Sequence, residues 1–203
     1  MTMMRNDPAR QAIFTVGHSV HSPERFIDLL RDAGVEAVVD VRSQPFSRQH
    51  PHFDRRQLRE LLRSAGISYA FMGDTLGGRP QDSSMYDSEG HVDYARVAAS
   101  AAYQSGVSKL LKSIGKYRLA LLCSEEDPAQ CHRHLLVAKT LVQRGCPADD
   151  IVHIRSRGRR VTESELVHQL GLAFEGGAKW RSPQSVLHKV QRSTSSSDYA
   201  VQG

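Results

Sequence analysis

The stretch Leu119-Ala-Leu-Leu-Cys-Ser-Glu-Glu-Asp-Pro-Ala-Gln-Cys-His-Arg-His-Leu-Leu136 changes character in its middle. Its first residues are a short apolar run that reads as a buried strand ending at Cys123. Ser124 to Asp127 form an acidic turn, and from Pro128 the pattern becomes helical. A buried strand followed directly by a helix is the repeating unit of a parallel sheet, so this stretch sets the fold class. It also concentrates chemistry, because Cys123, Glu125, Cys131, His132, Arg133 and His134 all fall inside it.

Working outward, the same alternation recurs. Ala12 to Val16 reads as a strand that ends at Gly17-His18-Ser19. Ser22 as N-cap and Pro23 at the first helical position open a helix with Phe26, Leu29, Leu30 and Ala33 on one face, closed by Gly34. Val35 to Val41 reads as a second strand, with Asp40 and Arg42 at its end. A loop over residues 42–53, rich in Pro and His, precedes a helix capped by Asp54 with Leu58, Leu61, Leu62 and Ala65 inward. Ile67 to Met72 predicts a third strand, residues 73–90 an irregular stretch, and Tyr94 to Ile114 a single helix. Pro128 to Arg144 predicts the crossover helix and Ile151 to Ile154 a fifth strand. Thr162 with Glu165 predicts a capping box on a last short helix.

Together these elements predict a single-domain α/β layered fold with a mostly parallel, Rossmann-like sheet of about five strands and helices on both faces. The domain is expected over residues 12–175, with a disordered lead-in over 1–11 and a basic, Ser-rich disordered tail over 176–203. A chain of 203 residues with 39% hydrophobic content can bury a substantial core. It has no apolar stretch near the roughly 20 residues of a membrane helix, no signal-peptide core at its start and only three cysteines, which predicts a cytoplasmic protein with no membrane partner. The net charge is +5, and residues 151–203 hold eight Lys or Arg against four Asp or Glu. Such a basic end suits a polyanion such as nucleic acid, or is a solvated face.

Ligands in open α/β sheets bind beyond the carboxyl ends of the strands. The residues expected there are Gly17, His18 and Ser19; Asp40 and Arg42; Gly77, Gly78 and Arg79; and Cys123 with Glu125. His18, Asp40, Cys123, Glu125 and His132 are the candidate catalytic groups, as carboxylate, imidazole or thiol chemistry requires. Gly17, Ser19, Arg42, Arg48, Gly77, Gly78, Arg79 and Arg133 are the candidate substrate or phosphate contacts. Helical register with Leu135, Ala138 and Val142 places Cys131 on the buried face of the helix, which favours core packing, while its position in the first turns points it toward the crevice floor. No metal ligand is assigned and the cofactor is left unknown. The seven residues between Cys123 and Cys131 exceed the usual spacing of a zinc knuckle, although His18 and Asp40 could complete a mixed site with them.

Four segments carry a resemblance: Thr15-Val-Gly-His-Ser19, Asp40-Val-Arg-Ser-Gln-Pro-Phe-Ser-Arg48, Leu76-Gly-Gly-Arg79, and Leu122-Cys-Ser-Glu-Glu-Asp-Pro-Ala-Gln-Cys-His-Arg-His134. In this order they resemble the bacterial domain-of-unknown-function family 488, DUF488. The resemblance implies an α/β fold and an active-site face, with no established reaction. The residues themselves point first to an enzyme acting on a nucleotide or nucleic acid. A transferase or hydrolase using Cys123, and a non-catalytic nucleic-acid or small-ligand binding module, are the alternatives.

Overall fold

A computed structural model describes residues 12–171 and 180–184. The expected lead-in and most of the expected tail lie outside the described residues. The sheet is built from β1 (Ile13–Gly17), β2 (Ala37–Asp40), β3 (Ser68–Phe71), β4 (Leu119–Cys123), β5 (Ile151–Ile154) and β6 (Arg160–Thr162). The spatial order is β3-β2-β4-β1-β5-β6, and every neighbouring pair is parallel except β5 with β6. The α/β prediction therefore holds, with one strand more than expected. That sixth strand is three residues long and opens on Arg160, too short and too polar to show as an apolar run.

The strands insert out of sequence order: β4 enters between β1 and β2. The ends of β1, β2 and β4 are thereby brought side by side, with Gly17 opposite Cys123 and Asp40 opposite Leu122. This is the reversal of strand order at which a crevice opens in α/β sheets.

Alternation along the strands feeds two separate cores. Val39, Leu119 and Leu121 point to one face, where they meet Tyr103, Val107 and Leu110 of α5 (Ala101–Ser113) and Leu136, Val137 and Leu141. Phe14, Val16, Val38, Ala120 and Leu122 point to the other. There they meet Phe26, Leu29 and Leu30 of α1 (Pro23–Asp32) and Leu58 and Leu62 of α2 (Arg55–Ser64). Ser22 caps α1 through its side chain as expected, and Thr162 and Glu165 form the full capping box of α7 (Glu163–Gln169). Asp54 sits at the N-cap of α2, but its carboxylate accepts from the Ser47 backbone N–H at 2.7 Å and ties down the preceding loop instead.

Three helix predictions change in detail. A one-turn helix α3 (Gly73–Leu76) interrupts the irregular stretch after β3. The expected helix from Tyr94 is two helices, α4 (Tyr94–Ala99) and α5. Ser100 is extended between them and caps α5 by accepting from the Tyr103 N–H, a hydroxyl role that competes with helix continuation. The crossover helix after β4 is also broken, into a 3₁₀ turn (Pro128–Gln130), a π-helical turn (Arg133–Ala138) and α6 (Lys139–Gln143).

Residues 180–184 fall in the predicted tail yet pack on the domain. The Trp180 indole N–H donates to the Leu135 carbonyl at 2.5 Å, the Tyr94 N–H donates to the Trp180 carbonyl, and the Ser182 N–H donates to the Val92 carbonyl. The only tryptophan of the chain supplies enough apolar surface to fasten a segment whose composition otherwise reads as disordered.

Candidate functional site

A crevice of about 250 Å³ lies beyond the carboxyl ends of β2 and β4. Its walls include Arg42, Ser43, Phe46, Gly78, Arg79, Cys123, Glu125, Cys131 and His132, closed on one side by Tyr94 and Ser182 to Gln184. Its floor is the sulfur-rich turn after β4. Cys123 Sγ is 2.9 Å and Cys131 Sγ 3.4 Å from Glu125 Oε2, and the two sulfurs stand 3.7 and 3.9 Å from His132 Nδ1.

The 3₁₀ turn folds Cys131 back beneath Cys123. Cys131 is buried and lies at the crevice floor as expected, but the continuous helix assumed for that register is corrected: Cys131 is extended (φ −127°, ψ 140°) between the two turns. The linear gap that argued against grouping the two cysteines is closed by the same turn.

His132 Nε2 lies 3.0 Å from the Val41 carbonyl, which can only accept, so Nε2 carries the proton and Nδ1 is the atom presented to the sulfurs. Gly78 packs against the imidazole at Cγ and Nδ1. A Cβ added there would sit 2.5 Å from His132 Cγ, which explains a glycine in this wall. Gly17 is a second close approach, since a Cβ would lie 1.9 Å from the Glu125 carbonyl oxygen. Gly17 thus serves packing of the acidic turn against β1 rather than a ligand.

Charge in the floor is unevenly held. Burial would raise the Cys131 pKa, but the hydrogen bond from Cys123 and the nearby Arg133 and His132 hold it well below the ordinary thiol range. Cys123 moves the opposite way, pushed up by that same hydrogen bond to Cys131 and by burial. Burial would lower the His132 pKa, yet Cys131 and Glu125 raise it. The Arg133 backbone N–H also points to Cys131 Sγ at 3.5 Å.

The acidic turn divides its carboxylates. Arg155, just beyond β5, pairs with Glu126 at 2.8 Å and with Asp127 at 3.1 Å, and the Ser156 N–H donates to Glu126. Glu125 is exposed and turns into the crevice instead. Glu125 rather than Glu126 is the candidate expected from the sequence, and the fold supplies the reason. The partner that decides it, Arg155, lies some 30 residues away.

The remaining candidates separate into those at the crevice and those below it. Arg42 lines the crevice, is held bidentately by Asp40 at 2.9 and 2.7 Å, and leaves Nη1 buried without a protein acceptor. Asp40 is fully buried and also accepts from the Tyr69 hydroxyl at 2.9 Å, so it positions Arg42 and has no free edge for acid–base work. His18 stacks on Phe53 with ring centroids 4.5 Å apart, on the α1–α2 side of the sheet. Burial and the nearby Arg42 lower its pKa to about 4, which keeps it neutral. It does not line the crevice, and neither does Ser19, whose N–H donates to the Ser124 carbonyl.

Arg133 is wholly buried and its guanidinium donates to the Glu125 and Glu126 carbonyls. It braces the turn and is not available to grip phosphate. Arg48 is exposed on the loop outside the crevice lining, and Gly77 packs against Ser43 and Gly73. Phe46 and Tyr94 were not singled out by the sequence. Phe46 lies between Pro45 and Ser47 in the Asp40–Arg48 segment, where an apolar ring in a polar loop is the signal that marks it.

Fold and site together define an α/β protein with a polar, thiol-floored crevice at the point where strand order reverses. The chain matches the family model described as Domain of unknown function DUF488 over residues 22–140, more than half of its length, and it belongs to that family. The matched span takes in Arg42, Arg79, Cys123, Glu125 and His132 and leaves out Gly17-His18-Ser19 and the 180–184 segment. Neither a curated protein nor a solved structure matches the chain. Among the described residues no helix is long and apolar enough to cross a membrane.

Proposed function

We propose that the chain is an enzyme acting on a nucleotide, free or as a unit of nucleic acid, in this crevice. The supporting observation is the union, around one opening, of an exposed aromatic ring with guanidinium donors. Phe46 is 64% exposed on the crevice rim, where its ring is accessible to a planar ligand. Stacking of a base on such a ring contributes roughly 1–3 kcal/mol. Arg79 is exposed on the same rim, and Arg42 offers the buried Nη1 that lacks a protein acceptor. Both suit phosphate oxygens. Gln44, Gln130 and Gln184 add amides that can pair with a base edge. Glu125 is the acid–base group and His132 its neighbour in the floor.

The expectation is that nucleotides bind the intact chain, and that Phe46→Ala and Arg79→Ala each weaken binding roughly tenfold without loss of fold. Glu125→Gln should lower turnover by about 100-fold or more while binding persists. Unchanged affinity in both rim variants would remove the nucleotide reading. A covalent substrate adduct on Cys123 in mass spectra would put the cysteine-dependent transferase or hydrolase in its place. Tight binding with no turnover across nucleotides and oligonucleotides would leave a binding module.

A further inference from the structure

We infer that Cys123, Cys131 and His132 form a three-ligand site for a zinc ion, open to the crevice on its fourth side, with Glu125 beside the metal as base rather than ligand. Sγ of Cys123, Sγ of Cys131 and the ring nitrogen of His132 all lie within 4.8 Å of one another, close enough to converge on a single ion. Two sulfurs and one imidazole are a soft donor set that suits zinc, and a three-ligand site with an open position is the arrangement of catalytic rather than structural zinc.

The surroundings match what a metal site requires. A ligating histidine donates its other ring N–H to a carbonyl or carboxylate, which fixes the ring, and His132 Nε2 does so to Val41 at 3.0 Å. A ligating sulfur accepts from backbone N–H groups, as Cys131 does from Arg133. Gly78 packs closely against the imidazole and limits its rotation. Binding takes both sulfurs as thiolates, any proton they hold leaving to solvent, and the two negative charges neutralise the dication. Glu125 Oε2 now bonds both sulfurs from the crevice side, and it falls outside the set of mutually close donor atoms. Once the thiols are deprotonated its carboxylate is freed toward the open position, where it can take a proton from a metal-bound water. A Cys2His zinc with an unligated glutamate is a set that activates water for attack on a nucleobase, which links the site to the proposed substrate class.

A second group of potential ligands, His134, His153 and Glu163, is wholly buried, with both histidines hydrogen-bonded to Glu163 and His153 also to Thr15. It has no open side.

This inference rests on the crevice being the functional site but not on its substrate, and its test uses no substrate. The full chain, purified under reducing conditions without chelator, should carry about one zinc per chain by elemental analysis. Stripped and titrated with cobalt, it should show thiolate-to-cobalt charge transfer and the intense visible bands of a tetrahedral ion. Cys123→Ser, Cys131→Ser and His132→Gln should each weaken the metal roughly 100-fold or more, while Cys146→Ser and Glu125→Gln retain it. Absence of both zinc and the cobalt–thiolate bands in the unsubstituted chain would overturn the proposal without recourse to any variant. A Cys123–Cys131 disulfide that persists under reducing conditions would do the same. Loss of metal in Glu125→Gln would make Glu125 a ligand and sink the three-ligand site. If nucleotides fail to bind yet zinc does, only the substrate reading falls; the reverse result removes only the metal.

Discussion

His132 and His134 stand two residues apart on one turn and face opposite fates. His132 looks into the crevice with two thiols and an exposed glutamate; His134 looks into the interior, where it meets Glu163 at 2.9 Å. Glu163 also accepts from His153 at 2.7 Å, and His153 Nδ1 is satisfied by the Thr15 hydroxyl at 2.7 Å. That inner cluster ties β1, β5, α7 and the π-helical turn together. The two clusters hold similar groups, and what separates them is access. In the crevice the carboxylate is exposed and its partners can change. In the core each group has a fixed partner and no solvent to replace it, so it stabilises rather than reacts.

The contrast breaks most sharply at the two glutamates. Glu163→Gln should destabilise the protein by about 3–5 kcal/mol in chemical denaturation, because it leaves an amide N–H facing buried imidazoles. Glu125→Gln should change stability by no more than about 0.5 kcal/mol. Equal effects would abolish the distinction between the clusters.

Acid titration should sharpen it next. His18 has its pKa lowered to about 4 by burial and Arg42, and His153 is lowered by burial. Both are neutral in the fold but take up a proton on unfolding below the ordinary 6.5, so the unfolded chain binds more protons and stability falls as pH drops. For His18 alone the loss between pH 6.5 and 4 amounts to about 3 kcal/mol. Glu163 adds to the same trend. Burial would raise its pKa, but His134 and His153 lower it below 4.5, and its contribution is lost as pH falls through that lowered value. His132 in the metal-free protein runs the other way. Its raised pKa gives a contribution that is full below 6.5 and lost as pH rises through the folded value. His18→Asn should flatten the acid limb and His132→Gln the alkaline one, both read from denaturation midpoints against pH.

A modest effect is expected at Gly78. Gly78→Ala should cost about 1 kcal/mol, since the new methyl must move the His132 ring or the loop that carries residue 78. Histidine resonances should shift for His132 and stay in place for His134 and His153. Movement of all three would mean that crevice and core are one mechanical unit.

Most of the sheet was legible because its strands are short apolar runs between well-signalled caps, as Ser22 and Thr162 show. Strand ends alone group His18 and Asp40 with Cys123, whereas the fold sends His18 to the α1–α2 side and Asp40 into an ion pair beneath the crevice. The sulfur cluster was obscured by a different cause. A continuous helix after Pro128 would carry Cys131 inward, and neither the 3₁₀ turn nor the π-helical turn that follows has a periodicity that residues alone reveal. The roles of Arg133 and Arg155 depend on carbonyls and carboxylates contributed by the folded turn, so charge by itself could not separate brace from substrate contact.

The docked segment at 180–184 also makes the crevice a composite of distant parts of the chain. Among the described residues every strand of the sheet lies before residue 163. The wall supplied by Ser182 to Gln184 comes from beyond them, fastened through Trp180 to the carbonyl of Leu135. A chain shortened before residue 180 would therefore keep all six strands and lose one wall of its crevice.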